Sequence, residues 1–276
     1  MTHSRTWTVL LLGCGSFLMG TGGGLGQHAG LAFCPQQSPS PSPAPAQTSP
    51  DTARAQALSL QERADIFMAR KSYADAADYY LRALKQSGYS DAVVWNKLGI
   101  AYQQEIEYRA ARRAYGQAIK HDRKYAEPLN NLGTTYYMQN KFGKSVKYYL
   151  RALKVTSNSA SFHLNLGTSY YRMKKYKESV EEYRTALSLD PNILAERSPV
   201  GTVVQARGAD PGYYFYLAKV FASLGRPEDA VRYLRRAFED GFKDQKKVEE
   251  DPDFQKIAQN PAFIELMKNR PVAIKD

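Results

Sequence analysis

Residues 131–153 read NLGTTYYMQNKFGKSVKYYLRAL, and thirty-four residues later 165–187 read NLGTSYYRMKKYKESVEEYRTAL, identical at 12 of 23 positions. A fixed period of this length constrains a fold more than any single motif, because each copy must form the same unit and present the same surface to its neighbour. The repeated letters are Gly, Ser, Ala, Leu and Tyr, residues that pack, rather than acids and bases set out for chemistry.

Three units align without a gap. The first carries Trp95, Leu98, Gly99, Tyr102, Tyr108, Ala111, Tyr115 and Ala118. The second carries Leu129, Leu132, Gly133, Tyr136, Phe142, Ser145, Tyr149 and Ala152, and the third His163, Leu166, Gly167, Tyr170, Tyr176, Ser179, Tyr183 and Ala186, with Pro191 closing it. An upstream unit holds Ala64, Phe67, Tyr73, Ala76, Tyr80 and Ala83, with one extra residue in its closing turn. A further unit returns at Leu217, Ala218, Phe221, Ala230, Leu234 and Ala237. Glycine inside a helix costs about 1 kcal/mol relative to alanine, so Gly99, Gly133 and Gly167 require close approach of a second helix. The small residues Ala76, Ala111, Ser145, Ser179 and Ala230 are expected at that crossing, with Tyr80, Tyr115, Tyr149 and Tyr183 filling the gap toward the neighbouring unit.

This pattern resembles the tetratricopeptide repeat, a helix–turn–helix unit of 34 residues. Two departures stand out, since the closing proline is present only at Pro191 and the tryptophan only at Trp95. The resemblance implies an all-α solenoid of about five units: four over 57–193, an inserted loop over 194–210 containing the β-prone GTVVQ, and a fifth over 211–243. The insert is either a solvated connector or a segment folded back over the concave side. The tail, 244–276, has Asp-Pro and Asn-Pro helix starts followed by Phe254, Ile257, Phe263 and Leu266, as capping helices would.

Chemistry is sparse by comparison. No H-E-x-x-H, C-x-x-C, G-x-S-x-G or P-loop pattern occurs, and both cysteines, Cys14 and Cys34, precede the repeats. Acidic clusters such as Glu178, Glu181 and Glu182 read as solvated faces, and His163, at a bulky position of the repeat, as a packed histidine. The expectation is a protein that is not an enzyme and takes no metal or cofactor.

In the family resembled, the first helix of each pair lines a concave groove that binds extended peptides or partner helices. Carried over, that groove holds Asn96, Lys97, Ile100 and Gln103, then Glu127, Asn130, Asn131, Thr134 and Tyr137, then Leu164, Asn165, Thr168, Tyr171 and Arg172. Asparagine both donates to and accepts from a peptide backbone, so Asn131 and Asn165, one repeat apart, either hold a partner's main chain or satisfy local groups. The Lys/Arg clamp with which the family's chaperone-binding members take a terminal carboxylate is not reproduced by Lys97 and Arg172.

The net charge is +11. Lys85, Lys120 and Lys154 recur near the end of second helices, while Arg109, Arg112, Arg113, Lys141, Lys144, Lys147, Lys174, Lys175 and Lys177 lie at or after the turns. That puts most of the positive charge on the convex side and edges, as a solvated face or as a surface for acidic membrane or nucleic acid. A protein or peptide in the groove is the expected partner, with peripheral membrane contact the alternative and nucleic acid disfavoured.

The first 32 residues read as a secretory leader: MTHSR, an apolar run, then small residues around a cut site. LLGC at 11–14 resembles a lipobox, but the apolar run continues beyond Cys14. Residues 33–56, rich in Pro and Ser, read as an extended spacer or plain tail. The expectation is an exported protein of the bacterial periplasm or cell envelope.

Overall fold

A computed structural model describes residues 59–194 and 210–273. The leader, the Pro/Ser segment and all of the insert except Leu194 and Asp210 lie outside the described residues. Among the described residues every element is a helix. Five hairpins follow one another: α1 (Leu60–Ala69) with α2 (Tyr73–Gln86), α3 (Ala92–Gln104) with α4 (Tyr108–His121), α5 (Glu127–Met138) with α6 (Phe142–Val155), α7 (Ala160–Arg172) with α8 (Tyr176–Leu189), and α9 (Pro211–Ser223) with α10 (Pro227–Glu239). Each helix packs on the next in the chain, and the first helices of neighbouring hairpins also meet, α3 against α5 and α5 against α7. The first helices therefore form the inner face of the stack and the second helices its outer face.

Each hairpin turns through one left-handed residue: Lys71, Ile106, Asn140, Lys174 and Gly225, with φ between 57° and 67°. Only asparagine and glycine adopt that conformation readily, so the turn is imposed by the packing of the helices it joins. The extra residue of the first unit is absorbed in its closing turn, where Gly88 and Tyr89 are both left-handed.

The tyrosines of the second helices pack in two directions. Toward the neighbouring unit, as expected, Tyr80 joins Val94 and Leu98, Tyr115 joins Leu132, and the Tyr183 ring meets that of Tyr213 edge-on at 6.1 Å. In three hairpins the ring also lies on the glycine of its own hairpin, where a Cβ built on Gly99, Gly133 or Gly167 would stand 2.4, 2.5 or 2.7 Å from a ring carbon of Tyr115, Tyr149 or Tyr183. The rings are fully buried, and their hydroxyls bond to the same hairpin's first helix: Tyr115 to Gln103 Oε1 (3.2 Å), Tyr149 with Thr134 Oγ1 (3.1 Å), Tyr183 to Thr168 Oγ1 (3.3 Å). A ring reaching across from the second helix fits only above a missing side chain. In the fifth hairpin the corresponding pair is Leu234 and Ala218, both buried, a shorter side chain opposite a larger one.

The tail forms three short helices, α11 (Gln245–Glu249), α12 (Pro252–Gln255) and α13 (Pro261–Lys268). Asp251 and Asn260 cap α12 and α13, accepting from the backbone N–H groups of Asp253 (3.0 Å) and Ala262 (2.9 Å). Phe254, Ile257, Phe263 and Leu266 are buried against the fifth hairpin. Lys219 reaches from α9 to the carboxylates of Asp251 and Asp253, an ion pair that ties the tail to the stack.

Gly133→Ala therefore lowers the thermal unfolding transition, because overpacking on the Tyr149 ring, about 1–3 kcal/mol, outweighs a gain in helix propensity of about 1 kcal/mol. Gly116→Ala, on α4, where an added Cβ meets nothing within 4 Å, raises it. Circular dichroism melts of the two variants check this, and a stabilised Gly133→Ala would disprove the ring–glycine contact.

Candidate functional site

The inner face carries the residues that sequence placed in a groove. Most are not free to bind a partner. A chain of amides crosses three hairpins: Asn165 Nδ2 donates to Asn130 Oδ1 (3.0 Å), Asn130 Nδ2 to Asn131 Oδ1 (3.3 Å), Asn131 Nδ2 to Asn96 Oδ1 (3.0 Å), and Asn96 Nδ2 to the Tyr125 hydroxyl (3.0 Å). All four asparagines are buried. Of the two roles open to Asn131 and Asn165, the structure shows the local one: faces of neighbouring helices come close enough for each amide to find another, and a buried amide left unpaired costs about 1–3 kcal/mol.

The remaining groove residues divide in the same way. Gln103 Oε1 accepts from Tyr115 and from Thr135 Oγ1 (2.8 Å) of the next hairpin. Thr134 and Thr168 hold tyrosine hydroxyls. Lys97 is paired with Asp65 of the first hairpin at 2.7 Å, and Leu164 is in the apolar core. Ile100 is half-buried and Glu127 exposed. The Tyr171 hydroxyl is pushed well above the ordinary tyrosine range by burial and by its hydrogen bond to the Asp210 carboxylate.

Two groups keep unused donors. Tyr137, only 7% exposed, has a hydroxyl with no hydrogen-bond partner among the described residues. Burial raises its pKa, and the Arg172 guanidinium pulls in the opposite direction without making a hydrogen bond of normal geometry. Arg172, at the end of α7, is exposed and lies over the rings of Phe142 (4.7 Å) and Tyr137 (5.9 Å). None of the ion pairs among the described residues involves it. A buried hydroxyl and a guanidinium side by side can take an oxygen acceptor, a carbonyl or a carboxylate.

Sequence reasoning missed Asp65, Tyr125 and Thr135. Asp65 accepts from both Lys97 and Tyr80, Tyr125 ends the amide chain, and Thr135 links to Gln103. Asp65 and Tyr125 have no like residue one period away, so no repeat signal marks them; Thr135 does, since the hydroxyl of Ser169 stands at the same place in the next unit. His163 is held by Glu182 Oε2 (2.6 Å) and the Ser157 carbonyl (3.0 Å). Among the described residues no group of three or more His, Cys, Asp or Glu is placed to hold a metal ion.

Two family models match this region, one described as tetratricopeptide repeat over 160–193 and one as TPR repeat over 135–174. No curated protein matches the chain. Among solved structures it is similar to PilF of Pseudomonas aeruginosa, at 19% identity over 79% of this chain and 92% of that one, with a TM-score of 0.49. It is also similar to the MamA protein (19% identity, 70% and 93% covered, TM-score 0.46). YrrB, a TPR protein with an unusual peptide-binding site, is similar at 15% identity, with 69% and 89% covered and a TM-score of 0.44. At these values no function is carried across.

Because Asn130 is bonded on both sides, Asn130→Ala takes one hydrogen bond from each of two buried amides. It should destabilise the stack by about 1–3 kcal/mol, whereas Gln104→Ala, at an exposed site on α3, should change stability by less than about 0.5 kcal/mol. Urea denaturation of both variants checks this, and an Asn130→Ala protein as stable as wild type would show that the amide chain is not formed.

Proposed function

We propose that this chain, a tetratricopeptide-repeat protein, is a protein-interaction scaffold that holds an extended peptide segment of a partner protein on its inner face, anchored at Tyr137 and Arg172. The observation that carries this is the Tyr137 hydroxyl, a buried donor left without an acceptor among the described residues, on an inner face whose amides are bonded to one another. Such a group costs about 1–3 kcal/mol when unpaired, and a partner's carbonyl or carboxylate oxygen would recover it. Arg172 adds charge-assisted donors and, by lying over Phe142, a fixed orientation. The amides of Asn96, Asn130, Asn131 and Asn165 stiffen the face behind the site; they do not read the peptide.

The scaffold works without catalysis or a cofactor. We place it in the bacterial cell envelope on the sequence of its first 56 residues: a basic start, an apolar run and small residues, then a Pro/Ser-rich stretch that would space the repeats from the point of export.

Peptides selected from a library of random linear sequences against the full-length protein test the groove. Tyr137→Phe should weaken their binding about 5- to 150-fold, the equivalent of a lost hydrogen bond of 1–3 kcal/mol, while leaving the free protein as stable or more so, because an unsatisfied hydroxyl has been removed. Arg172→Ala should weaken the same peptides. Selected peptides indifferent to both substitutions would refute the site.

Export is checked separately. The intact mass of the protein recovered from its own cells should correspond to a start between Gln27 and Phe33, in a fraction outside the cytoplasm. A cytoplasmic protein still beginning at Met1 would refute it.

A further inference from the structure

Positive charge is not spread evenly over the outer face. Helices α4 and α6, the outer helices of the second and third hairpins, contain no aspartate or glutamate over 14 residues each. Their cations are Arg109, Arg112, Arg113 and Lys120 on α4, and Lys144, Lys147, Arg151 and Lys154 on α6. None of these takes part in an ion pair among the described residues. The other outer helices carry acids among their cations, with Arg82 paired to Asp78 in α2, Arg184 to Glu181 in α8, Arg232 to Asp229 in α10, and Arg236 of α10 to Asp240 just beyond it. The excess charge of the repeats is therefore concentrated on two adjacent helices.

Between them runs a furrow of 520 Å³. Its floor is apolar, made by Ile119, Leu129 and Val155, and Gly116 leaves one wall open, since a Cβ added there would meet nothing within 4 Å. Lys120, Arg123, Arg151 and Lys154 stand along it, and no carboxylate lines it. Val155 (40% exposed) and, on the same helix, Leu150 (41%) continue the apolar strip outward.

We propose that this furrow is a second docking site, for an acidic amphipathic helix of a partner protein. An apolar stripe on such a helix seats on Ile119, Leu129 and Val155, and carboxylates flanking the stripe meet Lys120, Arg123, Arg151 and Lys154. Charge complementarity sets the sign of the partner, and the recessed floor sets its shape. A flat bilayer does not enter a furrow between helices. Nucleic acid would need free aromatic faces or phosphate contacts without an apolar floor. The nearby rings are already occupied, with Tyr136 stacked on Tyr148 at 5.3 Å and covered by Arg112 and Lys144. The site stands apart from the inner face and does not depend on how that face is used.

The probe is a fluorescein-labelled peptide of leucine and glutamate, about 18 residues or five helical turns, with leucines at i, i+3, i+4 and i+7. Binding to the full-length protein is read by fluorescence anisotropy beside three comparisons: a scrambled peptide of the same composition, phosphatidylglycerol vesicles and duplex DNA. The stripe peptide should bind at least about ten-fold more tightly than its scramble, and less tightly as salt is raised. Lys120→Glu with Lys154→Glu, and separately Gly116→Phe, which fills the furrow, should each cost at least about ten-fold, equal to 1.4 kcal/mol, with the thermal transition retained. Should Gly116→Phe misfold, Val155→Asp places a charge on the floor instead and should act alike. Arg172→Ala and Tyr137→Phe should leave this affinity unchanged, so that the two faces are separable. Equal binding of stripe and scramble, or binding untouched by Gly116→Phe and Val155→Asp, overturns the proposal. So does failure of the stripe peptide while vesicles or DNA bind and are lost only on charge reversal, an outcome that would make the face a general polyanion surface.

Discussion

A tyrosine ring seated on a helical glycine is the contact from which the stack is built. In three successive hairpins the ring of Tyr115, Tyr149 or Tyr183 occupies the space that a side chain at Gly99, Gly133 or Gly167 would fill. The hydroxyl then reaches the first helix and ends on Gln103, Thr134 or Thr168. One residue thus fixes both the separation of the two helices and their register. The conformational cost of glycine, about 1 kcal/mol, is offset by burial of an aromatic ring. The left-handed turns at Lys71, Ile106 and Lys174, unfavourable in isolation, follow from helices already held at that distance.

Between hairpins a different interaction takes over. The apolar clusters join nearest neighbours only, as in Ala126, Leu129, Ala152 and Phe162 between the third and fourth hairpins. The polar links run in parallel: Lys97 to Asp65, Asn131 to Asn96, Asn165 to Asn130, Ser145 to Ser169, and Arg226 to the Pro191 carbonyl. Hydrogen bonds have direction and fixed length where apolar contacts do not, so these links set the rotation of each hairpin on the last. They also use up the amides that would otherwise make the inner face a general receptor for peptide backbone. What remains available, Tyr137 and Arg172, is local and specific.

The two candidate surfaces differ in the physics they would use. The inner one offers a buried hydroxyl without an acceptor beside an exposed guanidinium, and in the buried setting a single hydrogen bond is strong. The outer one offers many exposed cations around an apolar furrow, where attraction is long-ranged and screened. A scaffold with both would hold two partners at once, since the furrow's cations stand on the outer helices and in the turn after α4, while Tyr137 and Arg172 stand on inner helices.

The repeat pattern, with the family it resembles, was enough to place the class of fold, both helices of every hairpin, and the burial of Phe254, Ile257, Phe263 and Leu266 in the tail. Those features rest on local pattern: apolar spacing, helix starts at proline, and glycine where two helices must touch. Which residues of the inner face stay free was not legible, because an asparagine that binds a partner and one that binds another asparagine are the same letter in the same place. Asn130 and Asn131 are adjacent in the chain, yet they bond in opposite directions along the stack, to Asn165 and to Asn96. Likewise the seat of each ring on its own hairpin's glycine depends on distances between helices that no period encodes. The chain specified its units through interactions within thirty-four residues; the tertiary structure decided which polar groups those units consume in holding one another and which they leave over.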